Sequence, residues 1–564
     1  MNSKFFLTAA LAATVALSSC NKLGELSADN FTVTPSPLEA VAGQVPVTIN
    51  GRFPEKYMKK KAIVTVTPVL RYAGGEAVGQ AATFQGEKVQ GNNQEISYKV
   101  GGNYTMRNTF AYIPEMQQSE LFLTFKAQVG KREVEVPEVK IADGVVATSA
   151  LLGKTLSGTS TAVAPDAYQY IIAQTKSAQI RYLIQQAKVR TSELKSTSVQ
   201  DFIRTLREIK EDQKGLQMGD IEISAYASPD GATDLNSRLA AARERSSATY
   251  VRGQLKEIGL NADINTRYTA EDWEGFQELV AASNIQDKDA ILRVLSMYPD
   301  PEEREAQIRN LSVAFSELAD EILPELRRAR LTIHYNIVGR TDAEIQSQYK
   351  NDPSQLSLEE LLYAATLTTT GKEDIYTTAI KQYPNDFRAY NNLAALAYAD
   401  NDLVAAKAYL DKAASLNANA PEVYANKALV AMAEGNINEA ENLLARATTA
   451  PNYNELLGNL QVAKGNYAQA ASALKSAPSN SAALAQILNK DYAGAASTLA
   501  GLNAENATTS YLKAIVAART NKAAEAISNL RNAIKLDPSY KERIAKDLEF
   551  ASLFKDAAFQ ALIK

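Results

Sequence analysis

Small residues recur at a fixed interval of 34 positions in the C-terminal third of this 564-residue chain. Two further copies keep the same internal offsets of 12 and 19 residues between the small positions. The recurring residues are Ala394, Ala406 and Ala413, then Ala428, Ala440 and Ala447, then Gly458, Ala470 and Ala477, and finally Ala514, Ala526 and Ala533. A period of this length predicts one helix pair per copy, with small residues where neighbouring backbones approach closely. The chain should therefore contain an all-α solenoid, which we place at 341–564.

This spacing resembles the tetratricopeptide repeat, and Pro538 falls on that family's terminal proline position. The resemblance implies a groove that binds peptide segments or protein surfaces. Asn391, Asn392 and Asn426 occupy positions expected to face the groove, where their amides could hydrogen-bond an extended partner backbone. A plain solvated surface is the alternative role for the three asparagines. The sequence predicts protein partners on the repeats.

The N-terminus has a charged Lys4 and an apolar run over 5–17, followed by Leu17-Ser18-Ser19-Cys20. The run is too short to cross a bilayer as a helix and has the layout of a signal peptide. It resembles the bacterial lipoprotein signal, which implies removal of 1–19 and lipid modification of Cys20, with 20–30 as a tether. Two or more acyl chains give stable membrane attachment. An ordinary secretory signal with a spare thiol is the alternative.

Apolar and polar residues alternate in five segments of the next region, separated by turn-forming residues. The segments are 62–70, 95–100, 109–113, 121–129 and 133–141. This alternation is typical of half-buried antiparallel strands and predicts an N-terminal β-sandwich over 31–145. The small, polar stretch that ends at Pro165 predicts a linker over 146–165.

Strand and helix patterns then alternate through a central α+β domain at 166–340. We expect strands at 178–190 and 221–228, a long helix at 234–258 and a last strand at 328–338. A helical insertion at about 270–325 precedes that last strand. Asn236 and Arg243 are seven residues apart, so both project from the same face of the long helix. This arrangement suits a ligand that carries a carboxylate.

The stretch resembles the OmpA-like peptidoglycan-binding domain, with Asn236, Leu239, Arg243, Tyr250 and Val251 on the positions of its signature. The resemblance implies that a loop aspartate and the helix arginine hold the diaminopimelate of the peptide stem. A guanidinium fork matches a carboxylate, and a fixed carboxylate pairs with the ligand ammonium.

The chain departs from that family at the loop aspartate. Ser228 stands at that position, and Asp230 is the nearest acid. The predicted peptidoglycan site is therefore Ser228, Asp230, Asn236 and Arg243. The alternatives are a surface arginine paired with Glu244 and an asparagine that caps the helix.

Composition excludes several function classes. The chain has one His and one Cys, too few for a Cys/His zinc site, a Cys-His nucleophile pair or a disulfide. Sixty basic residues against 64 acidic ones, with no long basic block, argue against nucleic acid as a partner. We expect no catalytic residues, no metal and no cofactor, and therefore no enzyme.

The combined pattern resembles the elaborated OmpA-like lipoproteins of the Bacteroidota envelope. It predicts an outer-membrane-anchored scaffold that binds proteins through its repeats and peptidoglycan through its OmpA-like domain. The alternative is a surface-exposed capture or accessory lipoprotein of an uptake or secretion assembly, with a degenerate OmpA-like domain. The residues after Cys20 lack a compact acidic run, which favours the periplasmic side of the membrane.

Overall fold

The computed structural model describes residues 23–285, 287–310, 316–503 and 505–564. The predicted signal peptide and Cys20 lie outside these ranges. The chain divides into two compact units. The first unit joins the chain up to Pro165 with Gly371–Lys564, and the second is Asp166–Thr370. The second unit is thus inserted in sequence between two parts of the first.

The N-terminal part of the first unit is built mainly from antiparallel strands. The strands are β1 Phe31–Thr34, β2 Leu38–Glu39, β3 Gln44–Phe53, β4 Ala62–Tyr72, β5 Gly75–Val78, β6 Ala82–Gly86, β7 Gln94–Ile96, β8 Gly102–Ala111, β9 Ser119–Val129, β10 Arg132–Val134, β11 Val139–Asp143 and β12 Val145–Val146. One sheet has the order β1-β3-β8, and the larger sheet has the order β10-β9-β4-β6-β7, with β5 on β4 and β11 on β9. Two parallel pairs, β6 with β7 and β12 with β2, complete the pairing.

Side chains from the two sheets interdigitate, which makes this part a sandwich. The ring of Phe53 in β3 lies 5.2 Å from that of Phe84 in β6 and 5.0 Å from that of Tyr104 in β8. All three rings are buried. Buried and exposed residues alternate along β8, which explains why the alternation of apolar and polar residues in the sequence indicated a strand.

The residues expected to form a tether pack onto the sandwich instead. Leu23 is buried in the sandwich core, and Leu26 packs partly against it. Leu23 and Leu26 therefore belong to the folded sandwich, because an apolar side chain that can reach a core lowers the free energy by entering it.

The second unit contains one four-stranded sheet covered on one face by two helices. Its strands are β13 Ile171–Arg181, β14 Leu216–Tyr226, β15 Asp263–Thr269 and β16 Arg328–Val338, in the order β13-β16-β14-β15. β14 and β15 are parallel, and the other neighbours are antiparallel. The helices Thr197–Glu211 and Thr233–Ile258 bury Phe202, Leu206 and Val251 against the sheet.

The first strand of this sheet differs from the prediction of 178–190. β13 begins at Ile171 and pairs with β16 along its whole length to Arg181, after which the chain becomes irregular. Ile171 and Ile172 are exposed, whereas Leu183 and Ile184 carry the apolar pattern outside any strand. The bounds of this strand are therefore set by its pairing with β16 and not by its own pattern of apolar residues. The short, exposed β15 was not singled out in the sequence.

The region of the predicted insertion is helical. Its described elements are the helices Trp273–Ala282, Lys288–Met297, Pro301–Asn310 and Leu323–Leu326 and the π-helical turn Leu318–Ile322. They enclose a small core of their own, around Phe276, Val280 and Ile291.

The compact second unit extends past residue 341, where the sequence placed the start of the repeats, and includes two further helices. These are Asp342–Asn351 and Leu358–Ala364. The ring of Tyr363 stacks on that of Tyr168 at 4.7 Å, and Arg340 donates to both carboxylate oxygens of Glu360 at 2.8 and 2.9 Å.

The helical part of the first unit consists of successive antiparallel helix pairs. The helices are Lys372–Gln382, Phe387–Ala399, Leu403–Leu416, Pro421–Ala433, Ile437–Leu444, Tyr453–Ala463, Tyr467–Ala473, Asn480–Leu488, Tyr492–Ala500, Ala507–Arg519, Ala523–Leu536, Tyr540–Lys546 and Ala557–Ile563. Ala406, Ala440 and Ala526 have no exposed surface. A Cβ added at Gly458 would lie 2.4 Å from Leu474 Cγ, so that position has no room for any larger residue. Among the described residues, no helix combines the length and apolar character needed to cross a bilayer.

Candidate functional site

The predicted linker packs along the helical repeats of the first unit with part of its residues buried. It forms a 3-10 turn at Thr148–Leu151 and a short helix at Leu152–Leu156, and then an extended stretch. We call residues 158–165 the groove segment. Ala162 and Ala164 are 0% and 2% exposed, whereas Val163 between them is 51% exposed. The side chains of Ala162 and Ala164 therefore face the interior, and the side chain of Val163 faces outward.

The groove that receives this segment is formed by the first helices of successive repeat pairs, which pack side by side. These are the helices Phe387–Ala399, Pro421–Ala433 and Tyr453–Ala463. The segment thus crosses one helix of each pair, as an extended ligand would.

The three asparagines predicted to face the groove hold the main chain of this segment. The N–H of Ala162 donates to Asn426 Oδ1 at 2.8 Å, and its carbonyl accepts from Asn391 and Asn426 Nδ2, each at 2.8 Å. The N–H of Ala164 donates to Asn392 Oδ1 at 2.8 Å, and its carbonyl accepts from Asn392 Nδ2 at 3.2 Å. Asn392 and Asn426 thus serve as donor and acceptor to an extended backbone, and Asn391 serves as a donor.

The same asparagines also orient one another. Asn391 Nδ2 donates to Asn392 Oδ1 at 3.1 Å, and Asn426 Nδ2 donates to Asn391 Oδ1 at 3.0 Å. All three are buried. Buried amides cost free energy unless they are hydrogen-bonded, so this network is set to bind a main chain rather than to face water.

Further contacts to the segment were not anticipated from the sequence. The Ser160 N–H donates to Glu455 at 3.3 Å and its carbonyl accepts from Asn452 at 2.5 Å, while Asn459 donates to Thr159 Oγ1 at 3.0 Å. Burial raises the pKa of the Glu455 carboxyl, and its hydrogen bond with Ser160 opposes that shift. The sequence signal that could have indicated these contacts is the presence of the polar residues Asn452, Glu455 and Asn459 in and just before an otherwise apolar first helix.

Arg243, predicted to grip a ligand carboxylate, is instead directed at main-chain carbonyls of its own unit. Its Nε donates to Gln186 O at 3.0 Å, one terminal nitrogen to Tyr226 O at 2.8 Å and the other to Leu183 O at 3.4 Å. The guanidinium lies 5.3 Å from the centroid of the Tyr182 ring. The side chain is 1% exposed, and burial lowers its pKa to about 10. It is therefore not a surface arginine paired with Glu244.

Asp230 is paired within the chain as well. Its carboxylate accepts from Arg327 at 3.0 Å and from Ser228 Oγ at 2.5 Å, and Arg327 Nε also donates to Ser228 Oγ at 3.2 Å. Arg309 donates to the Asp230 carbonyl at 2.9 Å. Arg309 comes from the region of the predicted insertion, and Arg327 lies just after that region, directly before β16.

Asn236 lies in the first turn of the helix that begins at Thr233, not at its cap. Its Nδ2 donates to Gly231 O at 2.9 Å, which closes the loop onto the helix. The four predicted residues are thus brought into one cluster, but internal partners occupy the polar groups that a ligand would need. Within the described ranges, no group of three or more His, Cys, Asp or Glu side chains could hold a metal ion.

No protein-family model matches this chain, and no curated protein matches it significantly. Solved structures that it resembles include a tetratricopeptide repeat protein from Parabacteroides merdae, 12% identical with a TM-score of 0.28, over 39% of this chain and 89% of that one. Pseudomonas aeruginosa PilF is 19% identical with a TM-score of 0.27, over 39% and 99% of the two chains. YrrB, described as a tetratricopeptide repeat protein with an unusual peptide-binding site, is 20% identical with a TM-score of 0.20, over 33% and 88%. Because these scores are low, the repeat assignment here depends on the helix pairs and their 34-residue spacing.

Proposed function

We propose that this chain is a lipid-anchored scaffold of a bacterial cell envelope that holds partner proteins through its helical repeats. The observation that carries the proposal is the row of buried amides on the first helices of the repeats. Asn391, Asn392 and Asn426 bind both the N–H and the C=O groups of an extended main chain. This is the chemistry that a peptide-binding repeat protein needs.

The position of the sandwich supports the anchoring part of the proposal. Leu23 is buried in the sandwich core, three residues after Cys20. Three residues span at most about 10 Å, so lipid on Cys20 would hold the sandwich directly against the membrane surface. We propose the outer membrane, with the protein on its periplasmic side, because the residues after Cys20 lack an acidic run.

We propose that the second unit is an OmpA-like domain that has kept its fold and closed its ligand site. The order of strands and helices and the burial of Asn236 and Arg243 beside the loop support this assignment. Arg327 pairs with the acid that a ligand ammonium would otherwise meet. Arg243 is held by carbonyls where a ligand carboxylate would otherwise bind.

The scaffold function predicts the behaviour of a Cys20→Ser variant. We expect this variant to fold, to leave the membrane fraction and to carry with it the proteins that cross-link to the wild-type chain in membranes. Fractionation after a salt and carbonate wash, followed by mass spectrometry of cross-linked material, measures both effects. Retention in washed membranes would contradict the lipid anchor, and release without any of those proteins would contradict the scaffold.

The closed loop cluster predicts weak peptidoglycan binding. We expect the full chain not to co-sediment with purified peptidoglycan, because Asp230 and Arg243 are both engaged internally. Arg327→Ala removes the cation that pairs with Asp230 and should increase co-sedimentation, whereas Arg330→Ala, at an exposed position on the following strand, should not. If the wild-type chain binds peptidoglycan and Arg327→Ala does not change that binding, the ligand site is not closed by Arg327.

A further inference from the structure

We propose that the repeat groove is a binding site for an extended peptide with small side chains at two alternate positions, and that the groove segment is an internal occupant that such a peptide must displace. This inference builds on the proposed scaffold function, to which it adds the class of partner and a means of regulation. It follows from three features of the groove: what the asparagines contact, what the segment leaves unpaired and how the segment is attached.

The groove recognises main chain and limits side-chain size. In an extended chain, alternate residues direct their N–H and C=O groups to the same edge. Ser160, Ala162 and Ala164 direct theirs to the repeats. The methyl groups of Ala162 and Ala164 are buried, so a larger side chain at either position would meet the helices. The exposed Val163 imposes no such limit. The preferred peptide therefore has the pattern small-any-small.

The groove segment leaves part of the groove unsatisfied. Among the described residues, the side-chain carbonyl oxygens of Asn452 and Asn459 are buried and have no hydrogen-bond donor. The N–H of Ser160 is 3.3 Å from Glu455, long for a bond to a carboxylate. Unpaired buried acceptors cost free energy, so a peptide that places N–H groups there gains hydrogen bonds that the internal occupant does not make.

The segment is attached at both ends, which favours it over a free peptide. The side chains of Leu151, Leu152 and Leu156 before it are buried in the repeat core, and the second unit begins at Asp166 directly after it. A tethered occupant has an effective concentration on the order of millimolar. The apparent affinity of a free peptide falls in proportion to the fraction of molecules whose groove is open. The proposal requires residues 158–165 to leave the groove while the leucines before them stay packed.

The test uses the purified full chain and a fluorescent synthetic peptide with the sequence of residues 157–166. Ala162→Glu places a charge at a buried position of the occupant and changes no repeat residue. We expect this variant to bind the peptide at least about tenfold more tightly than the wild-type chain does, because its groove is open. Val163→Glu, the matched control at the exposed neighbour, should bind as the wild type does. Adding Asn426→Ala to Ala162→Glu should abolish the gain, whereas adding Asn419→Ala, at an exposed position, should not.

A second variant guards against misfolding of the first. Replacement of 158–165 by a Gly-Ser stretch of equal length raises the entropic cost of ordering the occupant without a steric clash. It should also increase peptide binding, and hydrogen exchange at residues 162 and 164 should be faster than in the wild type. If neither variant binds the peptide more tightly while its circular dichroism and melting show folded repeats, the segment is a permanent part of the fold and the proposal is wrong. The two proposals can fail separately. If the opened groove binds the peptide but the Cys20→Ser variant carries no partner protein, the scaffold function is wrong and the groove proposal still holds.

Discussion

Arg243→Ala is expected to lower the free energy of unfolding of the second unit by about 2–5 kcal/mol. The guanidinium is the hydrogen-bond donor to the carbonyls of Leu183, Gln186 and Tyr226. Its removal takes this donor from the three carbonyls, of which that of Leu183 still accepts from the Gln186 N–H at 3.1 Å, and leaves a cavity where a large, fully buried side chain stood.

Hydrogen exchange of the full chain under mild denaturant measures this effect unit by unit. Protection of the amides in β14 and β16 should fall, whereas protection in the repeat helices should not. Arg245→Ala is the matched control, because Arg245 lies on the same helix and is exposed, and it should change stability by less than about 0.5 kcal/mol. If Arg243→Ala leaves the stability of the second unit unchanged, the guanidinium does not hold the irregular chain after β13 in place.

Ala526→Arg is expected to destabilise the first unit by about 3 kcal/mol or more, since it forces both volume and a charge into a closed helix contact. Ala526 has no exposed surface, and its helix packs along Ala507–Arg519. Ala524→Arg is the matched control, because Ala524 lies in the same helix and is exposed. Thermal melting of the two variants should therefore differ by many degrees.

The sandwich should melt together with the repeats in the Ala526→Arg variant, although each has a hydrophobic core of its own. Both belong to one compact unit, in which Thr148 donates to the buried carboxylate of Glu549 and Arg543 donates to the carbonyl of Ala147 at 3.4 Å. A single cooperative transition is expected where such contacts couple two parts of a chain. A sandwich that kept its own transition would contradict this coupling.

Features set by local sequence could be predicted well. The small residues at Ala406, Ala440 and Ala526 mark helix contacts because each repeat packs only on its neighbours. The last strand of the second unit was placed at its observed bounds, Arg328–Val338, because it alternates cleanly against a covered face.

Features set by distant residues could not be predicted. Asn391 and Asn426 were predicted to hydrogen-bond the backbone of a partner, and the backbone they contact here is that of Ala162, 229 and 264 positions away in the same chain. No local pattern indicates which extended segment will enter a groove. The spacing of Asn236 and Arg243 likewise indicated a shared helix face, but not the carbonyls that meet the arginine, because the segment that supplies two of them was itself predicted to be a strand.

The discontinuity of the first unit sets an order of assembly for a chain made from its N-terminus. The groove segment leaves the ribosome before the whole of Asp166–Thr370 and before the first repeat helix at Lys372. At about 5–20 residues per second, that delay is on the order of ten seconds or more. Throughout this interval the apolar helix Leu152–Leu156 has no core to enter. The repeats, which arrive last, therefore fold when the extended segment that crosses their first helices is already present.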